Sequence, residues 1–535
     1  MKSKSSLLST KSIITATFIL AAITLLSKAT GFLRIQSIAA YFGATWKTDA
    51  FLTAFLIPEC LYLFFTEGAL ASALVPLFSG YFSDSSDKEK AKEGQILLST
   101  LSVIVLFTGI FIGLFIYLYR IEVATLLGPE FSTSTKNLAS ALLAIICGYI
   151  PLGLLAGLFQ GYLNSRGHFL APAAGPLFFN IVTISAAVFL SQTMGIRALA
   201  WAVLFGGFIS LLINLVAMKL LETKPAYPDF KHEGLFKAIK LLVPVIFALI
   251  LVQTQICIER MMASSLPEGS ISSLNFAGKI LNLPAGLLAL TMATALLPSL
   301  ARAFSSNDES DFLNTTTASH NILIFIVTPL ALILSLCSTE IVIAAFKRGA
   351  FNITQALVTA DVLFYYGLAL IPLTGTFLLI RVFFASNDTK TPAFVKMIVT
   401  TINIVILSLV INEWGIITVP IAFLVMYTFN YGILLIIFGR KNTEAETDIF
   451  REMMICLLSA AITALIYRFL EPSISVLTKA VITTGKGVNQ LTTFAALVKL
   501  VISSLIIIIS YLVSTFILKT RIIESLKMIR GSKEH

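Results

Sequence analysis

Six basic residues lie within long apolar stretches of the sequence, where hydrocarbon would reject a bare charge. A cation at the middle of a membrane helix costs about 2.5–3.5 kcal/mol on insertion scales. Such residues therefore usually face a protein interior or a water-filled cavity, and several of them together predict a cavity that receives an anion. The residues are Lys28, Arg34, Arg260, Lys279, Arg381 and Lys499.

The clearest pattern is a polar stripe around Lys279. Asn275, Lys279 and Asn282 are spaced i, i+4, i+7, so a helix would place them on one face. Pro284 follows and is expected to kink that helix. A stripe of two amides and an ammonium facing lipid would be costly, so it must line a cavity for a polar substrate or hydrogen-bond to other helices.

Arg260 belongs to a second polar group, in the preceding apolar stretch. Gln253 and Arg260 share a helical face at i, i+7, and Glu259 directly precedes the arginine. In one interpretation Arg260 faces the same cavity as Lys279. In the other, Glu259 and Arg260 neutralise each other or neighbouring groups.

Lys28 and Arg34 lie in the first apolar stretch. Six residues correspond to about 240° of helix rotation, so the two charges do not share a narrow face. Arg34 lies near the end of the stretch and also fits a side chain that reaches the interface. For Arg381 and Lys499 that interfacial interpretation is preferred.

Four carboxylates accompany the cations and are candidates for coupling or gating. They can pair with the cations or exchange protons or sodium. Asp49 also fits an N-terminal helix cap. The four are Asp49, Glu59, Glu67 and Glu259.

Composition indicates the fold class. The chain has 535 residues, of which 57% are hydrophobic and 12% charged, against about 25% charged in soluble domains. About 14 stretches are long enough to span a bilayer. The prediction is an all-α polytopic membrane protein with 14 transmembrane helices. Lys and Arg are concentrated on one side, which predicts cytoplasmic N- and C-termini and accounts for the net charge without a nucleic-acid partner.

An internal repeat predicts two pseudo-symmetric six-helix lobes plus two C-terminal helices. Residues 73–76 (ALVP) and 295–298 (ALLP) are each followed by Phe-Ser six residues after the proline. Pro-Ala pairs at 172 and 392 each open an apolar stretch, and both offsets are about 220 residues. The predicted domains are 1–222 (spans 1–6), 235–440 (spans 7–12) and 441–535 (spans 13 and 14), with the lobes related by an axis along the membrane normal.

The sequence carries no motif of a soluble catalytic site. It contains no Walker A, G-x-S-x-G or H-E-x-x-H pattern. Its five cysteines and four histidines are scattered, so no metal site is expected. We therefore expect no enzyme activity and no cofactor, with transport driven by a coupling ion or by the membrane potential.

Several segments resemble one family of transporters. They are SKATGFLRIQSIAAYFGATWKTDAFLTAFLIPE, YLNSRGHFLAPAAGPLFFN, GSISSLNFAGKILNLPAG and FKRGAFNITQALVTADVL. They are similar to the MurJ (MviN) lipid II flippases of the multidrug/oligosaccharidyl-lipid/polysaccharide exporter superfamily. The resemblance implies two six-helix lobes around a cationic cavity, with the last two helices forming a lipid-facing groove.

The resemblance also implies roles for individual residues. Lys28, Arg34 and Lys279 stand where the family has arginines that bind the diphosphate, and Asp49 and Glu67 match acidic positions. Lysine keeps the charge but loses bidentate phosphate geometry. The family's basic pair in the second span is replaced by Tyr62 and Leu63, and Glu59 stands where an asparagine is usual. Arg260 is a candidate for the missing charge.

These observations predict a lipid II flippase of the bacterial cytoplasmic membrane that works by alternating access. Its partners would be a lipid-linked diphosphate oligosaccharide, membrane lipids and cell-wall synthesis enzymes. Alternatives are a flippase for another polyprenyl-diphosphate oligosaccharide and a non-transporting scaffold for cell-wall synthesis. A drug/cation antiporter would need an acidic cavity, and a membrane-embedded glycosyltransferase would need a larger outer loop or domain.

Overall fold

The chain folds as helices throughout its described part. The computed structural model describes residues 10–66, 69–82, 87–291, 296–305, 309–440, 443–482 and 488–520. Within these ranges every regular element is helical and no strand occurs. Two compact units follow each other along the chain, Met1–Gly269 and Ser270–His535.

The first unit begins at α1, and its helices alternate with short loops. In its described part the helices are α1 (Thr10–Phe42), α2 (Trp46–Thr66), α3 (Ala69–Phe82), α4 (Lys88–Leu118), α5 (Arg120–Leu127), α6 (Thr133–Ile146), α7 (Tyr149–Ser165), α8 (Leu170–Phe189), α9 (Ser191–Met194), α10 (Arg197–Leu220) and α11 (Glu233–Ala263).

The second unit also consists of helices joined by short loops. In its described part the helices are α12 (Ser270–Thr291), α13 (Leu297–Ser305), α14 (Glu309–Leu336), α15 (Ser338–Phe346), α16 (Ile353–Ala385), α17 (Lys390–Trp414), the 3₁₀-helix Gly415–Ile417, α18 (Thr418–Gly439), α19 (Thr443–Ile482) and α20 (Val488–Ile517).

The helices are long and apolar enough for a polytopic membrane protein, as predicted. Among the described residues eight helices qualify as membrane spans by length and composition, or nine if α6 and α7, bent by 47°, form one span. Backbone groups in hydrocarbon must be satisfied internally, which helices achieve and open strands do not. The all-α class is thus confirmed, while the number of 14 spans stays a prediction.

Local geometry recurs at the offset of the sequence repeat. Left-handed backbone occurs at Gly167 and Gly195 in the first unit, and at Asn387 and Gly415 in the second. Gly167 and Asn387 are about 220 residues apart, and so are Gly195 and Gly415. A polar N-cap precedes the helix at the same offset, Ser132 before α6 and Asn352 before α16. The lobe boundaries 1–222, 235–440 and 441–535 stay a prediction.

The polar linker of residues 222–234, predicted as a lobe boundary, packs on α4. The backbone N–H of Asp229 donates to Thr100 Oγ1 at 2.8 Å, and that of Ala226 donates to Ser99 Oγ at 3.1 Å. His232 Nε2 lies 2.8 Å from Glu93 Oε2. These contacts fix the linker against α4 before α11 begins.

Two glycines allow α4 to approach α7 and the break between α6 and α7 closely. A Cβ on Gly109 would lie 2.6 Å from the Cα of Pro151, and one on Gly113 would lie 3.0 Å from the carbonyl oxygen of Cys147. This is a G-x-x-x-G contact, in which small residues let helix backbones meet in a membrane.

We expect Gly109→Val to lower the thermal unfolding temperature of the detergent-solubilised protein, because the branched side chain would push α4 away from α7. Gly80→Ala is the matched control, since nothing lies within 4 Å of its added methyl group. Alanine in a helix is about 0.5–1 kcal/mol more favourable than glycine. An unchanged unfolding temperature for Gly109→Val would show that the close approach does not matter.

Candidate functional site

Lys28 and Arg34 point to different surroundings on α1. Lys28 is exposed, and among the described residues it has no hydrogen bond or ion pair. The Arg34 guanidinium lies over two aromatic rings, 5.7 Å from the centroid of Phe55 on α2 and 5.6 Å from that of Phe179 on α8. Such cation–π contacts stabilise an arginine away from water. The two side chains lie on different faces of α1 because six residues separate them. The aromatic contacts show that Arg34 packs between helices, so its interfacial interpretation is wrong.

An asparagine that sequence reasoning missed fixes α1 beside Lys28. Asn180 of α8 donates from Nδ2 to the carbonyl oxygen of Ser27 at 3.1 Å. A Cβ on Gly31 would lie 3.4 Å from the same nitrogen. The available signal was a single amide within the apolar stretch PLFFNIV. The contact sets the position of the Lys28 backbone relative to α8.

Arg260 of α11 is bound to α2. Its Nη2 lies 3.3 Å from Glu59 Oε2, and its Nη1 donates to the carbonyl oxygen of Leu52. Both charged side chains are mostly buried. Glu259 accepts a hydrogen bond from Gln255 Nε2 at 2.8 Å. Arg260 is therefore partly neutralised, and by a carboxylate on another helix.

Asp49 holds the loop that follows α11. The carboxylate is 3% exposed, and its Oδ2 accepts the backbone N–H of Gly269 at 2.6 Å. Asp49 lies in the first turn of α2, which begins at Trp46, so the helix-cap interpretation is wrong. Gly269 has a φ of +87°, and a Cβ there would lie 2.4 Å from the carbonyl oxygen of Ala44. Only glycine fits this position. Glu67, the remaining acidic candidate, lies outside the described residues.

In the second unit, the predicted polar stripe lies on a single helix. Asn275, Lys279 and Asn282 all belong to α12, which continues through Pro284 to Thr291. Asn275 and Lys279 are half-buried and Asn282 is exposed. Oδ1 of Asn275 is buried and meets no hydrogen-bond donor among the described residues. A buried acceptor of this kind needs a donor, which a ligand or water would supply.

Lys499 is an ion-paired residue, so its interfacial interpretation is wrong. Its Nζ lies 2.8 Å from Glu340 Oε1 on α15 and 2.8 Å from Glu471 Oε1 on α19. Glu340 is 9% exposed. The three residues join α15, α19 and α20. They are so far apart in sequence that no helical spacing could have predicted the ion pairs.

The comparisons with known proteins identify the family. Residues 38–483 match the family model described as "Lipid II flippase MurJ". The chain is 30% identical to the lipid II flippase MurJ of Burkholderia cenocepacia over 376 residues, which cover 69% of this chain and 72% of that protein. The chain belongs to the MurJ family. It is also 31% identical over 397 residues to a probable lipid II flippase MurJ of Rhizobium meliloti, covering 71% and 72% of the two chains.

Solved structures agree with this MurJ assignment. A structure titled "Lipid II flippase MurJ, inward closed conformation" matches with a TM-score of 0.73 and 26% identity, covering 94% of this chain and 98% of that one. An inward-facing multidrug resistance transporter of the MATE family matches with a TM-score of 0.65 at 11% identity, covering 80% and 98%. The latter likeness shows the fold alone.

Neutralising Glu59 alone should destabilise the protein, because Arg260 would keep its charge without a carboxylate. Breaking a fully buried pair costs about 3–5 kcal/mol, and this partly exposed pair should cost less. We expect Glu59→Gln and Arg260→Gln each to lower the unfolding temperature. The double variant should lose less than the two single losses added together. Additive losses in this double-mutant cycle would contradict the pairing.

Gly269→Ala should be strongly destabilising, because the added methyl group meets a backbone oxygen and the left-handed conformation is strained. Gly415→Ala is the matched control, since its φ is +64° but nothing lies within 4 Å of an added Cβ. Only the backbone strain, about 1–2 kcal/mol, remains there. Gly269→Ala should therefore lower the unfolding temperature more than Gly415→Ala, because only the first variant adds a steric collision to the strain. Equal decreases in unfolding temperature would refute the close contact.

Proposed function

We propose that this chain translocates lipid II across the bacterial cytoplasmic membrane by alternating access, with both termini cytoplasmic. The observation that carries the proposal is an exposed lysine, Lys28, within a helix of a MurJ-family chain. A cation on a membrane-spanning helix is costly, so it is retained only where it has a function or a partner group. A lipid-linked diphosphate is the partner we propose.

The cations have different surroundings in this proposal. Lys28, which is exposed, supplies positive charge for the diphosphate directly, and Lys279 adds its charge from the polar stripe of α12. Arg34 and Arg260 supply charge from fixed positions, over aromatic rings and beside Glu59. A diphosphate near Arg260 would compete with Glu59 for the guanidinium, so binding and release would change the contact between α11 and α2.

The neutral polar groups fit the sugar part of the substrate. The buried Oδ1 of Asn275 is an acceptor without a donor among the described residues, and sugar hydroxyl and amide groups are donors. Asn282, exposed on the same helix, can donate and accept. We propose that these amides hold the headgroup weakly, because a substrate that must leave cannot be bound too firmly.

The acidic residues and the energy source complete the proposal. We propose that Asp49, Glu59, Glu67 and Glu259 serve coupling or gating, and that a coupling ion or the membrane potential drives the cycle. A potential of 100 mV contributes about 2.3 kcal/mol per charge moved across the membrane. An inside-negative potential would favour outward movement of the anionic substrate.

We expect Lys28→Ala and Lys279→Ala each to abolish or strongly reduce flipping while the protein stays inserted and abundant. Each charge-assisted contact contributes about 1.5–3 kcal/mol. Arginine at either position should retain activity, because the charge is kept. The measurement is complementation of a flippase-depleted bacterium, combined with an assay of headgroup accessibility at the outer surface.

Lys224→Ala is the control, since Lys224 is exposed in the linker before α11. It should complement normally. Normal complementation by the Lys28→Ala/Lys279→Ala double variant would rule out the diphosphate role of these lysines. It would favour the non-transporting scaffold, whose function does not need the charges.

A further inference from the structure

Two cysteines of the first unit lie against each other although they are far apart in sequence. Cys60 belongs to α2 and Cys257 belongs to α11. Their thiol groups form a hydrogen bond. No sequence motif connects the two positions, so only the fold reveals the pair. Two thiols in contact are suited to redox chemistry, because one can be oxidised and the other can then close a disulfide.

An independent contact brings the same two positions together. Glu59, next to Cys60, has its Oε2 3.3 Å from Nη2 of Arg260, which lies three residues after Cys257. Residues three apart on a helix share a face, so Cys257 and Arg260 are both directed toward α2. The Arg260 Nη1 also donates to the carbonyl oxygen of Leu52 on α2. These contacts hold α2 and α11 together where the thiols meet.

The pair differs from the other cysteines in its exposure. Cys60 and Cys257 are half-buried, whereas Cys147, Cys337 and Cys456 are buried. Oxidation of a cysteine requires access as well as a thiolate. A small uncharged oxidant can therefore reach this pair more readily than the other three cysteines of the chain.

The neighbouring charges distinguish the two thiols. The Arg260 guanidinium lies about one helical turn from Cys257 and favours a negative charge on its sulfur. Glu59 directly precedes Cys60 and opposes a negative charge there. With Cys60 as the donor, the hydrogen bond between the thiols also stabilises a thiolate on Cys257. Cys257 is therefore the nucleophile, and Cys60 is the thiol that completes the disulfide.

We infer that Cys60 and Cys257 form a redox-sensitive site that closes a disulfide between α2 and α11 when hydrogen peroxide reaches it. The Cys257 thiolate attacks one peroxide oxygen and the O–O bond breaks. The sulfur becomes a sulfenic acid, and the departing hydroxide takes up the proton that Cys257 had lost. The Cys60 sulfur then attacks the Cys257 sulfur, and the hydroxide that leaves takes the Cys60 proton. Two thiols are thus oxidised to one disulfide, and one peroxide is reduced to two water molecules.

The disulfide would make the contact between α2 and α11 covalent. The ion pair of Arg260 and Glu59 can open when an anion competes for the guanidinium, as proposed for the diphosphate. A covalent bond at the residue next to Glu59 would oppose that opening. Oxidation would therefore halt transport, and a thiol reductant would restore it by exchange. This consequence rests on the proposed function, whereas formation of the disulfide does not.

The first experiment determines whether the bond forms. The detergent-solubilised full chain is treated with hydrogen peroxide, its free thiols are blocked, and its peptides are analysed by mass spectrometry without reduction. The peptides that contain Cys60 and Cys257 should be linked, and a thiol reductant should separate them. Absence of the link would overturn the inference.

The order of attack has its own measurement. In the Cys60→Ser variant, a sulfenic acid should accumulate on Cys257 and be captured there by dimedone, because no second thiol can displace it. In the Cys257→Ser variant, Cys60 should capture much less dimedone. Equal capture in the two variants would overturn the assignment of Cys257 as the nucleophile.

The second experiment measures transport in bacteria that depend on this chain. After exposure to hydrogen peroxide, cells with the wild-type chain should lose most of the headgroup accessibility at the outer surface and regain it when a thiol reductant is added. The Cys60→Ser/Cys257→Ser variant should keep its activity in peroxide. Cys147→Ser is the matched control, since it removes a buried cysteine of the same unit, and it should stay as sensitive as wild type.

The two experiments separate failure of this inference from failure of the proposed function. An untreated wild-type chain that does not complement would count against the proposed function and leave the linked peptides unexplained by anything but this site. Equal peroxide sensitivity of wild type and the double serine variant would overturn the regulatory role, and so would a linked disulfide with unchanged transport. Unfolding temperatures of the serine variants check that they fold.

Discussion

An ionised side chain in hydrocarbon keeps its charge only if other groups replace the water it has lost. Three of the cations meet this constraint in different ways. Arg260 has a carboxylate and a carbonyl oxygen, Lys499 has two carboxylates, and Arg34 has two aromatic faces. Each solution joins helices that are distant in sequence. The charges therefore help to decide which helices stay together within a unit.

The same constraint distinguishes structural charges from charges available to a substrate. A cation with a close carboxylate partner loses much of its attraction for another anion, because binding a second anion must weaken the first contact. Lys499 is of this kind, since two carboxylates surround it. Lys28 is exposed and has no ion pair among the described residues, so its attraction is undiminished. The position of a cation within an apolar stretch does not by itself show whether it is ion-paired or available to a substrate.

The sequence predicted what depends on local periodicity and missed what depends on distant contacts. The stripe of Asn275, Lys279 and Asn282 lies on one helix, because the spacing of a helix is fixed by its backbone. No spacing rule connects Lys499 to Glu340 or Arg260 to Glu59. The helix-cap interpretation of Asp49 is wrong for the same reason. Its position near a helix start suggested a cap, whereas its partner, Gly269, is 220 residues away.

Backbone features that recur about 220 residues apart leave the charges of the two units free to differ. Turns and caps recur in the second unit because glycine, asparagine and serine satisfy backbone requirements that do not involve charge. The intervening positions are free to differ, since at the same offset Arg348 corresponds to Gly128 and Ala350 corresponds to Glu130. Helix continuity differs as well, since α6 and α7 are bent by 47° whereas α16 runs unbroken from Ile353 to Ala385. Backbone requirements thus fix helix starts and turns at these recurring positions, and the chemistry of each unit depends on residues that those requirements do not constrain.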